Sequence, residues 1–317
     1  AFKEATTFPT GPVYVAYTSQ ALDATNVEGL IQAADAPHMG LAPEPGVIRS
    51  IFDALVNADK PLLVCGQEIA AAGAQAEIMT LAERLSLPVA TGVFDFGSFP
   101  AHHPNYVGGV EAVSEEVYDV VCCVGYRQNA RGIPADLRFE RAGTIIGIGH
   151  DPAQLGNTFP LDIAVWGNIR HTLQALNALW TEGQGRHRHL ERRGAAIRAA
   201  GAQRLRAQQD EALGHASEQP IHPNYLAHVA GRALPEGTLV VSENFRSSDH
   251  LMPFGFDKGQ WRLIRTFGGS LGHGIGAAIG AQLGAPDRPV VCSIGDGAVM
   301  YSASGFWTMA RYGLPIL

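Results

Sequence analysis

The sequence predicts an α/β protein built from doubly wound parallel sheets. Three observations lead there. Short apolar runs recur along the chain, separated by segments whose apolar residues follow a helical period. These runs do not alternate polar with apolar residues, so they read as strands buried on both faces. Their ends fall at glycines or turn residues, and the 317-residue length suits two domains better than one.

Taken in order, residues 1–20 read as a short helix followed by a strand at Gly11–Tyr17, and residues 21–45 as an Ala- and Pro-rich linker without a period. Val47–Ala58 has helical apolar spacing, Pro61–Gly66 is a buried strand, and Ala74–Leu85 is an amphipathic helix. Leu87–Thr91, Asp119–Gly125 and Gly143–Gly149 are further strands, so residues 46–181 form one doubly wound domain. Residues 182–218 carry seven arginines, from Arg186 to Arg206, among Ala, Gln and His. A solvated interdomain helix explains them more simply than a basic face for an anion. A second unit covers 219–317: a helix at Asn224–Ala233, a strand at Gly237–Ser242, a Gly- and Ala-rich helix at Leu271–Leu283, a strand at Arg288–Ile294, and a helical segment to Tyr312. The chain starts without Met and stops at Leu314–Leu317 as another apolar run begins, so both ends read as cuts in a longer protein.

Composition narrows the function. The 46% hydrophobic and 17% charged residues are ordinary for a globular enzyme. A net charge of −7 argues against nucleic acid, because phosphate recognition needs clustered Lys and Arg. No run approaches the roughly 18 apolar residues of a membrane span. Cys65, Cys122, Cys123 and Cys292 lie in apolar strands without zinc-ligand spacing, as expected of buried thiols in a reducing, cytoplasmic compartment.

The strongest chemical signal is Val290–Ile294 running into Gly295-Asp296-Gly297. Ligands of open α/β sheets sit at the carboxyl ends of strands. Glycines there admit a phosphate close to the backbone, and a carboxylate can hold Mg²⁺ that also binds phosphate oxygens. The helix that follows points its N-terminus at the same place, which favours an anion.

Gly295-Asp296-Gly297, with Tyr301-Ser302, Trp307-Thr308 and Arg311–Ile316 behind it, resembles the thiamine-diphosphate signature of the 2-oxoacid decarboxylase and acetolactate synthase family. Gly268–Gly272 and Gly276–Ala281 resemble that family's Gly-rich segment. Leu87-Pro88-Val89, Phe99-Pro100, His103–Gly109, Val124–Arg127 and Asp151-Pro152 extend the likeness through the middle of the chain. The resemblance implies the end of a pyrimidine-binding domain at 1–25, a linker at 26–45, a middle domain at 46–181, an interdomain helix at 182–218 and the first part of the diphosphate-binding domain at 219–317.

It also implies roles. Asp296 would be the Mg²⁺ ligand, with Gly295, Gly297 and Ala298 facing the diphosphate. The Gly269 carbonyl would receive the cofactor's 4′-amino group, and Leu271 would wedge the cofactor into its bent conformation. Ser242–Ser248 follows a strand where relatives place diphosphate-binding hydroxyls, and Ser247 could supply one by a register shift. Ile221-His222-Pro223 resembles a segment of benzoylformate decarboxylases whose histidine reaches the active site, so His222 is a candidate proton relay; a histidine simply opening a helix is the plainer reading. His273, inside the Gly-rich segment, is a candidate for substrate contact. Gly125-Tyr126-Arg127 and Asp151-Pro152 resemble FAD-binding segments of acetolactate synthase, although strand-end glycines account for them better than a bound FAD does.

The family's activating glutamate and its second side-chain Mg²⁺ ligand, an Asn, have no counterpart in this sequence, so the polypeptide alone is expected to be inactive. The implied activity of the intact protein is decarboxylation of a 2-oxoacid, suggested by His222 and Glu243. The alternatives are an acetolactate synthase-like carboligase and a non-catalytic binding or assembly subunit. The implied assembly is a homodimer or homotetramer. A nucleotide-binding oxidoreductase is disfavoured, since no Gly-x-Gly-x-x-Gly follows a first strand.

Overall fold

The computed structural model describes residues 1–25, 29, 40–92, 97–113, 116–126, 143–157, 159–180, 188–244, 262–265 and 271–317. Two short helices, α1 (Phe2–Thr6) and α2 (Ser19–Leu22), open the chain. The strand expected at Gly11–Tyr17 does not form. The segment pairs with no described strand, and Tyr14 is 91% exposed. Apolar residues alone do not make a strand; the backbone needs a neighbour to complete its hydrogen bonds.

The first sheet follows from α3 (Pro45–Asn57), β1 (Pro61–Cys65), α4 (Glu68–Ala71), α5 (Gln75–Arg84), β2 (Val89–Thr91), β3 (Tyr106–Gly109), α6 (Val110–Val113), β4 (Val120–Val124), β5 (Thr144–Gly149), β6 (Ile163–Trp166) and α7 (Ile169–Ala178). Its six strands run parallel in the order β3-β2-β1-β4-β5-β6. Strand β1 shows why the apolar runs are continuous. Leu63 and Cys65 enter the core under α3, α5 and α7, while Leu62 and Val64 enter a second core on the opposite face. Helix α3 buries Ile48, Ile51, Phe52, Leu55 and Val56 along one stripe, with Pro45 at its first turn where no amide is missed. Full burial of Ile51 or Leu55 stabilises by about 1.5–3 kcal/mol each. The Asp119 carboxylate accepts from the amides of Asp59 (2.6 Å) and Lys60 (2.9 Å), fixing the entry to β1 against the start of β4.

The arginine-rich segment becomes α8 (Arg188–Gly214). Its arginines are more than a solvated face. Arg193 donates to the carbonyls of Ala58, Leu85 and Ser86, and Arg204 donates to Ala101 (2.9 Å) while lying 5.2 Å from the Tyr106 ring centre. These contacts fasten the long helix to the first sheet's helices and loops.

The second unit contains α9 (Pro223–Ala233), β7 (Leu239–Glu243), β8 (Arg262–Arg265), α10 (Gly274–Gly284), β9 (Val290–Ile294), α11 (Asp296–Val299) and α12 (Gly305–Tyr312). Its strands are parallel in the order β8-β7-β9. Ala227 of α9 packs on Val240 on one face; Ala278 of α10 packs on Leu239, Val241 and Val290 on the other. The helix expected from β9 to Tyr312 is two helices, broken by turns at Met300–Ser304.

Candidate functional site

The carboxyl edge of the β8-β7-β9 sheet is assembled around Glu243. This residue ends β7, and its side chain is only 6% exposed. A buried carboxylate must be matched by donors, and here they come from the loop before α10. Oε1 accepts from the Gly272 amide at 2.5 Å, and Oε2 accepts from the Gly274 amide. Gly272 adopts φ +98°, and a Cβ on Gly274 would lie 2.8 Å from Glu243 Oε2, so both positions require glycine. The negative charge also sits at the N-terminus of α10, where the helix dipole favours it. The backbone carbonyl of Glu243 accepts from Gly295 (3.2 Å), and the next residue, Asn244, donates from Nδ2 to Ser293 Oγ (2.5 Å). The ends of β7 and β9 and the α10 loop are thereby tied into one edge. Burial, together with the neighbouring Glu243 carboxylate, pushes the Cys292 thiol above its ordinary pKa.

The sequence-predicted residues that are described fall in three places. Gly295 caps α11, Asp296 is its exposed first residue, Gly297 is exposed and Ala298 is buried. Asp296 has no protein partner among the described residues. It presents free carboxylate oxygens in the first turn of α11, the hard-oxygen arrangement that Mg²⁺ prefers. Leu271 (50% exposed) and His273 flank Gly272, and both face solvent beside the Glu243-bound amides. His222 belongs to another place, the turn between α8 and α9. It is the N-cap of α9, its Nδ1 accepts from Asn224 N (3.2 Å), and its ring stacks on His215. Gly269 and Ser247 lie outside the described residues, as does Arg127.

Glu243 itself was expected as part of a diphosphate-facing segment and as a pointer to a decarboxylase, not as the support of the loop before α10. The signal for its supporting role was a charged residue closing a buried apolar run, a charge that has to be satisfied by backbone donors.

The first sheet has its own crevice beyond β4 and β5, lined by Glu68, Cys123, Tyr126, Gly149, Asp151 and Leu155, with a cavity of ≈ 20 Å³. Glu68 is buried there and accepts from the His150 amide (2.9 Å). The space suits one water. A dinucleotide's diphosphate entering it would meet a carboxylate, so the described residues here do not fit FAD.

Residues 48–176 match the central domain of thiamine pyrophosphate enzymes, and residues 250–317 match their C-terminal, thiamine pyrophosphate-binding domain. The chain is 31% identical over 278 residues to a probable 2-ketoarginine decarboxylase of Pseudomonas aeruginosa, covering 83% of this chain and 46% of that protein. It is 28% identical to the large subunit of acetolactate synthase isozyme 3 of Escherichia coli, covering 86% and 48%. The chain thus spans about half the length of the curated relatives it matches. The structure of a 4-hydroxybenzoylformate decarboxylase of Rhodococcus jostii superposes with a TM-score of 0.69 at 23% identity, covering 89% of this chain and 52% of that one, which establishes a shared fold.

Proposed function

This chain belongs to the thiamine pyrophosphate enzymes, and from that premise we propose that the whole protein decarboxylates a 2-oxoacid with thiamine diphosphate and Mg²⁺. The observation that carries the reading is the exposed Asp296 carboxylate at the end of β9, without a protein partner among the described residues, on the edge where Glu243 holds the Gly272–Gly274 loop.

The residues present fit the group. Asp296 would ligate Mg²⁺, and Gly295, Gly297 and Ala298 would line the diphosphate without side-chain obstruction. Ser247 would add a hydroxyl, Leu271 would press on the cofactor from the loop, and the Gly269 carbonyl would hold its amino group. The bound cofactor supplies stabilisation of the carbanion left when a 2-oxoacid loses CO₂. Glu243 keeps the loop backbone in place, so Leu271 is presented without reorganisation. His222 and His273 are the chain's candidate proton carriers, since one imidazole can both donate and accept a proton. The division at 26–45 and 182–218 into an end segment, a middle domain and a diphosphate-binding part belongs to the same proposal. So do a cytoplasmic homodimer or homotetramer and the need for further chain to supply the activating glutamate.

The likeness to acetolactate synthase supports a second reading, transfer of the decarboxylated fragment to a second carbonyl. One experiment separates the two. The whole protein, loaded with thiamine diphosphate and Mg²⁺, is given aryl and alkyl 2-oxoacids. CO₂ with an aldehyde product supports the decarboxylase, and CO₂ with an acyloin or acetohydroxy acid supports the carboligase. Failure to bind thiamine diphosphate in the presence of Mg²⁺ would sink both.

A further inference from the structure

The turn between α8 and α9 gathers three side chains of which the proposed chemistry uses only one. His215, Glu218 and His222 each offer a ligand atom, and these atoms lie within 4.8 Å of one another. Among the described residues no other three His, Cys, Asp or Glu side chains meet in this way. His215 Nδ1 faces Glu218 Oε1 at 2.7 Å, and the His215 and His222 rings stack at 3.6 Å between centres, inclined by 12°.

We propose that this turn is a binding site for a divalent transition ion of the zinc class, held by His215, Glu218 and His222, with water completing the shell. Two imidazoles and one carboxylate form a borderline-soft set that suits Zn²⁺ and its neighbours, and not Mg²⁺, which prefers oxygen throughout. The spacing is nearly that of a coordination edge. Metal–ligand bonds of roughly 2.1 Å set adjacent donors roughly 3.0–3.4 Å apart. His215 and Glu218, now 2.7 Å apart across a hydrogen bond, need to part only slightly to chelate an ion. Both histidines are half-buried and Glu218 is exposed, so an ion can enter from solvent while the rings are held from behind.

The site has one built-in cost. Parallel stacked rings cannot both aim a lone pair at the same ion, so one must swing. His222 Nδ1 also accepts from Asn224 N (3.2 Å), and a metal-bound neutral imidazole carries its proton on the other nitrogen. Coordination by His222 therefore competes with its capping of α9. The ion would bind more weakly than at a fully preorganised site and would tie the end of α8 to the start of α9.

This inference does not rest on the catalytic reading, and binding is measured without turnover. The protein is saturated with Mg²⁺ to occupy hard-oxygen ligands such as Asp296, then titrated with Co²⁺ as a visible-absorption probe and with Zn²⁺ by calorimetry. The expected result is one equivalent bound. Affinity should fall at least about tenfold in each of His215→Gln, Glu218→Gln and His222→Gln. His171→Gln, an exposed histidine on α7, should bind like the parent. Glu218→Gln alters an exposed side chain, so it keeps the test informative if a histidine variant misfolds. No binding by the parent protein, or equal binding by Glu218→Gln and the parent, overturns the proposal.

Discussion

Each of the two parallel sheets has a buried glutamate at its carboxyl edge, and the two glutamates have opposite consequences. Glu68 enters the crevice beyond β4 and β5, accepts from the His150 amide and leaves a cavity of ≈ 20 Å³. Glu243 instead lies beneath the loop before α10, engaging Gly272 and Gly274 from below, so Leu271 and Asp296 remain at the surface. A carboxylate in the position of a ligand's phosphate repels it. A carboxylate under a glycine loop aligns backbone for a ligand on the other side. Among the described residues the first sheet's edge therefore offers no phosphate site, and the second sheet's edge carries the proposed one.

The largest expected effect tests that assignment directly. Asp296→Ala should lower Mg²⁺-supported binding of thiamine diphosphate by roughly 100-fold or more, because the proposed metal ligand is lost. Thermal stability should stay within about 0.5 kcal/mol of the parent, because the residue is exposed and has no protein partner among the described residues. Asp151→Ala, the corresponding change at the first sheet's crevice, should leave binding intact. Calorimetric titration of both variants decides the matter, and equal losses would erase the distinction between the sheets.

A subtler pair exchanges the two glutamates for Gln. In Glu243→Gln one amide oxygen can still accept, but the new NH₂ group confronts a backbone N–H. The cost is about 1–3 kcal/mol for a buried donor left unmatched. Glu68→Gln should lose a comparable amount. Only Glu243→Gln should also weaken the cofactor, because only its loop carries Leu271. Unfolding curves with and without thiamine diphosphate separate the two effects. Equal cofactor-induced stabilisation in both variants would show that the Gly272–Gly274 loop is not part of the site.

Much of this was legible before the structure. The runs Pro61–Gly66, Asp119–Gly125 and Gly143–Gly149 became β1, β4 and β5, because strands buried on both faces must be apolar throughout. Helices α3, α5 and α9 fell within a few residues of their expected ends, and α8 lies inside its expected 182–218 segment. Edge strands were harder to read. Strand β6 is four residues long with two of them exposed, and β3 contains two glycines, so neither carries a strong apolar pattern. Gly11–Tyr17 failed in the other direction, having the pattern without a partner. At the site, Gly295-Asp296-Gly297 was visible as a motif, whereas the Glu243 link to Gly272 and Gly274 was not. It joins residues 29 and 31 positions apart, a distance that no local period encodes.

Acidification should sharpen the contrast from the first sheet's side. Burial lowers the pKa of His150 below its ordinary 6.5, and its Nε2 accepts from the Ile169 amide (3.1 Å) at the start of α7. The unfolded chain then binds a proton more readily than the folded one. Stability is therefore complete above about pH 6.5 and falls as the pH drops from there towards the lowered folded value. Denaturant unfolding at stepped pH should show this fall in the parent and a smaller one in His150→Gln. The fall should be independent of thiamine diphosphate, since the His150 ring engages the start of α7 in the first sheet's domain.

The smallest effect reads the charge of Glu243 without any ligand. Burial drives the Cys122 thiol up to about 12 and Cys123 higher still, so neither should react with a disulfide reagent near pH 8 while the protein is folded. Cys292 is only partly buried, and its thiolate is disfavoured by burial and by the Glu243 carboxylate. Glu243→Gln removes the second cause, so Cys292 should label about two- to fivefold faster. Glu68→Gln removes a carboxylate from the other sheet and should leave that rate unchanged. If both variants accelerate labelling equally, loosened packing and not charge is responsible. If neither does, the Gly272 and Gly274 amides already screen the Glu243 carboxylate from Cys292, and its part in the site is purely to hold the loop.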